Sequence, residues 1–249
     1  VKAVGIIGYH HTGKTTLAVA LIEALTQAGF CVASIKDIHN ENFSADVEGS
    51  NSWRHARAGA NQVFARGLWD AALVLTPSPD LKAMLGHLNA DYLVIEGLKD
   101  AAVPRIVCAD DTAQADELID DTVFALAGRI ADSLESYRGL PVFCLRNRLP
   151  ELVQTVKNIA FKILPQADPD CCSACGRSCY LLAGDIVQGR AKREECIFDS
   201  APALTLTADG KPVPLVPFVQ NILRDTVLAL VDNLKDIPPD SSLRLELNR

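Results

Sequence analysis

Gly8-Tyr-His-His-Thr-Gly-Lys14-Thr15 constrains this chain more than any other segment. It satisfies the phosphate-loop pattern G-x-x-x-x-G-K-[ST] at every specified position. An apolar run, Ala3 to Ile7, leads in as a buried strand would, and Thr16 to Ala28 leads out as a helix. Gly8 and Gly13 let the backbone curl closely around an anion, and successive N–H groups at the start of the helix point at it. In that geometry Lys14 reaches the outer phosphates and the Thr15 hydroxyl holds Mg²⁺. Thr12 and Thr16 complete the loop's contacts, and His10 and His11 fill variable positions as solvent-facing members of it.

Downstream, strand-like and helix-like segments alternate to about residue 165. The strand candidates are Ala3–Gly8, Cys31–Lys36, Gln62–Arg66, Ala72–Leu75, Tyr92–Glu96, Arg105–Cys108, Val123–Ala127 and Val142–Cys144. The helix candidates are Thr15–Ala28, Ser52–Ala58, Pro79–His87, Thr112–Asp120, Ile130–Arg138 and Pro150–Leu164. Buried strands alternating with helices predict an α/β fold, a doubly wound and mostly parallel phosphate-loop NTPase sheet. Its ligand site lies beyond the carboxyl ends of the strands. The strand Tyr92–Glu96 ends in an acid followed by Gly97. That suits a Mg²⁺- or water-polarising carboxylate beside a close backbone approach to the γ-phosphate.

Composition shifts at Leu164-Pro-Gln-Ala-Asp-Pro-Asp170, which divides a nucleotide-binding domain, 1–165, from a small α+β module, 166–249. That module carries Cys172-Ser-Ala-Cys175-Gly-Arg-Ser-Cys179 and a distant Cys196, with Cys171 as a spare. Three close thiolates and a remote fourth suit a [4Fe–4S] cubane. Four thiolates also suit structural zinc. A helix from Tyr180 to Gly189 should cover the cluster with its apolar face. Ala203–Leu215 reads as a hairpin around Asp209-Gly210, Val216–Leu234 as an amphipathic helix packed on it, and Ser242–Leu247 as a strand. The singles Cys31, Cys108 and Cys144 read as small buried hydrophobes.

The formal net charge of −7 and the absence of a basic tract argue against nucleic acid or an anionic membrane as partner. No apolar stretch is long enough to span a bilayer, and the first residues read as a strand, so the expected compartment is the cytoplasm.

A third segment makes the pattern specific. Lys36-Asp-Ile-His39 is followed by Asp46-Val-Glu-Gly49-Ser-Asn51-Ser52 and Ala58-Gly-Ala60, and later by Glu96-Gly-Leu-Lys99. With the phosphate loop, this resembles the molybdopterin-guanine dinucleotide biosynthesis protein B (MobB) family, over about residues 1–110 and loosely to 165. Asn51, Asp37, Asn40 and Leu98 depart from residues usual in that family. The resemblance implies a GTP-binding protein with weak GTPase activity, commonly a homodimer, that assists a nucleotidyltransferase in attaching a nucleotide to molybdopterin. It implies nucleotide and Mg²⁺ duties for Lys14, Thr15, Asp46 and Glu96, and places Lys36 and His39 near the phosphates or the pterin. No guanine-reading Asn/Thr-Lys-x-Asp motif is present, so GTP rests on the resemblance. Two other readings stay open at this level: a nucleotide-gated metallocluster carrier or insertion ATPase, and a non-catalytic adapter with a structural metal.

Overall fold

The computed structural model describes residues 1–38, 40, 42–166, 175–196, 204, 206–208, 211–213, 215 and 217–234. By contact density the chain forms two compact units, one of 1–167 with 179–193, the other of 168–178 with 194–249. No helix among the described residues is long and apolar enough to cross a membrane.

The first unit begins with β1 (Lys2–Gly8), α1 (Lys14–Gln27), β2 (Val32–Lys36), α2 (Asn51–Arg57), β3 (Gln62–Arg66) and β4 (Ala71–Leu75). It continues with α3 (Leu81–Leu85), β5 (Tyr92–Glu96), β6 (Arg105–Cys108), α4 (Thr112–Leu118) and β7 (Val123–Ala127). Then come β8 (Ser136–Tyr137), β9 (Leu140–Pro141), α5 (Leu145–Ile159) and α6 (Cys179–Val187). Five strands form one parallel sheet in the order β2-β5-β1-β6-β7. The expected mostly parallel α/β sheet is therefore present.

Every residue of β5, β6 and β7 is buried, as strands covered on both faces must be. Alternation along β1 sends Val4 and Ile6 to one face and Ala3 and Ile7 to the other. Val4 and Ile6 pack with Leu17, Leu21 and Leu25 of α1 and Leu152 and Val156 of α5. Ile7 packs with Ala115 and Leu118 of α4, and Ala3 with Leu93, Ile95 and Val103. From β1 the chain passes over β5 to reach β2, and from β5 it crosses β1 to reach β6. The connections diverge around β1 and β5, so a crevice opens at their carboxyl ends.

Four sequence expectations are corrected. First, β3 and β4 do not join the sheet. They pair with each other as an antiparallel ribbon, Gln62 opposite Leu75, which a run of alternating residues does not distinguish from a sheet strand. Second, 130–138 is not a helix. A 3₁₀ turn at Arg129–Asp132 gives way to the β8–β9 hairpin, where Arg138 takes φ 48° and Gly139 φ 78°. Third, Val142–Cys144 is no strand beyond an isolated bridge from Val142 to Leu126, because α5 begins at Leu145. Pro150 sits in the second turn of α5, where its missing N–H removes only one backbone bond. Fourth, Cys31 is exposed because it precedes β2, the partly covered edge strand. Cys144 is half-buried, and of these three cysteines Cys108 alone is a core thiol, its pKa pushed up to about 12 by burial.

Helix α6 has a packed face in the first unit. Its buried residues are Leu182, Ala183 and Gly184, and the site for a Cβ on Gly184 lies 2.9 Å from the Asp121 side chain. The Gln188 amide donates to the Asp121 carbonyl at 2.9 Å. The covered face thus meets the segment that leads into β7.

In the second unit, β10 (Leu206–Ala208) and β11 (Lys211–Val213) form the expected antiparallel hairpin. Helix α7 (Pro217–Val231) follows. Of the apolar stripe, Ile222, Leu223, Leu230 and Leu234 are exposed and Val227 is half-buried. The expected strand at 242–247 lies outside the described residues.

Candidate functional site

Parallel register brings the site together. Ile6 of β1 and Lys36 of β2 both stand opposite Glu96 of β5, so the phosphate loop, Lys36 and the acid meet at one edge although 81 residues separate Thr15 from Glu96. The Gly97 N–H donates to the Ile6 carbonyl at 3.0 Å, and the Asp37 N–H to the Glu96 carbonyl at 2.8 Å.

The loop from Gly8 to Gly13 is braced from inside. The buried Thr12 hydroxyl donates to the Tyr9 carbonyl at 2.9 Å, and the Lys14 ammonium donates to the same oxygen. Gly13 is the N-cap of α1 with φ 95°, a left-handed conformation that a side chain disfavours. It supplies no side-chain cap, so the first-turn N–H groups of α1 stay available to an anion.

The Thr15 hydroxyl donates to Glu96 Oε1 at 2.6 Å. Lys36 Nζ donates to Thr15 Oγ1 at 3.1 Å and lies 3.2 Å from Glu96 Oε1. Glu96 is only 8% exposed, so its charge is held in a largely desolvated place by one hydroxyl and one ammonium. These groups line a cavity of about 730 Å³ together with Gly8, Tyr9, His10, His11, Gly13, Lys14, Thr16 and Gly97. Its volume lies within the range of small-molecule sites. Asp37, Ile38, Asn40 and Lys99 line it as well, and sequence reasoning did not select them as site residues. Lys99 belongs to the Glu96–Lys99 segment that carries the family resemblance. The others belong to the turn after β2, whose approach to the loop is a tertiary fact.

Asp46 is not among the residues lining this cavity. It accepts from the Val47 N–H at 2.8 Å and the Ser50 hydroxyl at 3.0 Å, while Ser50 Oγ caps α2 by accepting from the Trp53 N–H at 3.1 Å. Hydrogen bonds, first from Ser52 and then from Ser50 and the Val47 N–H, hold its carboxyl below the usual value against the opposing effect of burial. His39 lies outside the described residues.

Of the four cysteines of the expected cluster, Cys172 also lies outside the described residues. Cys175 is half-buried with its Sγ 3.4 Å from the Arg177 carbonyl, Cys179 opens α6, and Cys196 is buried. Among the described residues no three His, Cys, Asp or Glu side chains are gathered as metal ligands.

The sequence profile of the family described as "Molybdopterin guanine dinucleotide synthesis protein B" (MobB) matches residues 3–129, about half of the chain. The chain belongs to the MobB family. A putative molybdopterin-guanine dinucleotide biosynthesis adapter protein of Methanocaldococcus jannaschii is 28% identical over 254 residues, covering 99% of this chain and 97% of the relative. The Haemophilus influenzae adapter protein is 32% identical over 165 residues, covering 64% of this chain and 89% of that one. The crystal structure of Bacillus subtilis MobB superposes with a TM-score of 0.54 at 25% identity, covering 64% of this chain and 97% of that one. The archaeal match therefore runs through the cysteine-rich segment, whereas the H. influenzae match spans a MobB-sized portion.

Proposed function

We propose that this chain is a GTP-binding adapter, with weak GTPase activity, for the synthesis of molybdopterin guanine dinucleotide. The observation that carries the reading is the cavity in which Lys14 and Thr15 of the phosphate loop meet Glu96 and Lys36, in a member of the MobB family. Lys14 would neutralise the β- and γ-phosphates, and the first-turn N–H groups of α1 would cradle them. Thr15 Oγ1 and the Glu96 carboxylate are hard oxygen donors 2.6 Å apart, the kind of set that suits Mg²⁺. That ion, when bound, would spread charge off the phosphate oxygens. Lys36 would add a second cation beside the γ-phosphate, and Gly97 would let the backbone approach it. Asp46 and His39, on the turn between β2 and α2, are proposed as secondary contributors. The partner would be the nucleotidyltransferase that consumes the guanine nucleotide, and the relatives' designation as adapters supports that place.

Equilibrium binding of a fluorescent GTP analogue, with and without Mg²⁺, tests this reading. Wild-type affinity should rise about tenfold or more with Mg²⁺. Glu96→Gln should remove most of that gain while leaving Mg²⁺-free binding nearly intact, since one charge-assisted contact is worth about 1.5–3 kcal/mol. A wild-type chain that does not bind GTP would sink the proposal.

We also propose that Cys172, Cys175, Cys179 and Cys196 hold a [4Fe–4S] cluster, with structural zinc as the competing occupant; the support is their spacing. Protein purified without oxygen should contain about four iron and four sulfide per chain. One zinc without sulfide would replace the cluster by a staple, and neither would remove the metal proposal. Finally, we propose a homodimer. The exposed Phe64, Leu68 and Trp69 on the β3–β4 ribbon support a covered face in the assembly. Sedimentation should show a dimer that Leu68→Ser with Trp69→Ser weakens about tenfold or more; a wild-type monomer would overturn it.

A further inference from the structure

A second cavity, of about 370 Å³, adjoins the phosphate cavity and shares His11, Gly13 and Thr16 with it. The two meet along the mouth of the loop and the first turn of α1. A nucleotide with its phosphates at Lys14 and Thr15 can lead its ribose and base past those shared residues into the second cavity. The second cavity's far wall comes from the turn after β7, Gly128 to Asp132, and from the start of α5, Cys144 to Arg146. Its volume suits a nucleoside.

Resting on the nucleotide-binding reading above, we infer that the second cavity holds the purine base and that Asp132 reads it as guanine. The wall has the chemistry for this. The half-buried Leu145 supplies apolar surface, and the exposed Arg146 supplies a planar guanidinium that can lie over an aromatic face. Two charged groups of the β7 turn line the cavity, and they are differently engaged. Arg129 Nε lies 3.2 Å from Asp110 Oδ1. The Asp132 carboxylate is exposed and has no hydrogen bond or ion pair among the described residues. Guanine offers two adjacent donors on its Watson–Crick edge, N1–H and the 2-amino group, which a carboxylate accepts as a pair. Adenine offers an unprotonated N1 at that place, and a carboxylate opposite it meets a lone pair. Asp132 thereby selects guanine without the familiar guanine-reading motif.

The test is a competition titration on the full chain, with GTP, ATP and xanthosine triphosphate displacing a fluorescent GTP analogue in Mg²⁺. Wild type should prefer GTP over ATP by about tenfold or more, as a bidentate base contact gives. Asp132→Asn should lose GTP affinity by a similar factor and gain xanthosine triphosphate, because an amide donates to the 2-carbonyl of xanthine and still accepts from N1–H. Asp132→Ala should lose GTP without the gain. Wild type that binds GTP and ATP within about twofold, or Asp132→Asn that weakens all three nucleotides alike, would overturn the inference while leaving the phosphate site intact. Failure of wild type to bind any nucleotide would instead overturn the reading on which it rests.

Discussion

Lys14→Ala should reduce GTP binding by at least about a hundredfold, the value expected when a cation bridging two phosphates loses charge-assisted contacts of about 1.5–3 kcal/mol each. The side chain is half-buried, and among the described residues it hydrogen-bonds only to the Tyr9 carbonyl within its own loop. Removing it leaves no core cavity and no orphaned charge, so the melting temperature should barely move. That combination distinguishes a ligand-binding lysine from a structural one. Calorimetric titration of the folded variant with GTP and Mg²⁺ gives the answer. Tight binding would remove the phosphate loop from the site.

Arg105→Ala should have the opposite signature, a loss of stability of about 1.5–3 kcal/mol read by chemical denaturation, with the phosphate loop itself untouched. The Arg105 side chain is buried, and its guanidinium donates to the Lys99 carbonyl at 2.7 Å, to Asp120, to the Thr122 hydroxyl and to the Tyr180 hydroxyl. Thr122 Oγ1 and the Tyr180 hydroxyl donate in turn to Asp120, at 2.7 Å and 2.6 Å. One side chain thus ties the loop after Glu96 to the start of β7 and to α6. Truncation leaves the Asp120 carboxylate and the Lys99 carbonyl without this donor. A variant with the wild-type denaturation midpoint would refute the account.

The same network sets a pH window. Burial pushes the Asp120 carboxyl up, but hydrogen bonds from Arg105, Tyr180 and Thr122 outweigh it, and the net value lies below the usual one. A depressed acid contributes stability above its unfolded pKa, near about 4, and loses it as pH falls through the folded value. Tyr180 is raised, first by burial and then by its bond to Asp120. Its contribution is present below the unfolded value, near about 10, and is lost as pH rises through the folded one. The stabilisation from this network should therefore plateau between those limits, and Asp120→Asn should abolish its acid limb while leaving part of the alkaline one, as denaturation midpoints measured across pH would show.

What the sequence by itself determined is the part written in short-range pattern. Gly8 to Thr15, the apolar run before it and the helix after it are consecutive, so one segment specifies strand, anion loop and cap together. Glu96 at the end of an apolar strand was legible for the same reason, and so were the parallel strands, whose continuous burial leaves an unbroken apolar run. What only the tertiary structure decided is the choice of neighbours. The runs at 62–66 and 71–75 read as strands in either setting, and pairing alone made them a separate ribbon. Arg105 looked like the polar start of a strand until Asp120 and Tyr180 arrived from 15 and 75 residues away to neutralise it. Asp132 stood in an expected helix until the β7 turn opened it to a cavity beside the phosphate loop. Local propensity encodes what a residue does with its own backbone. Desolvation, charge pairing and cavity shape depend on which distant segments come to lie against it.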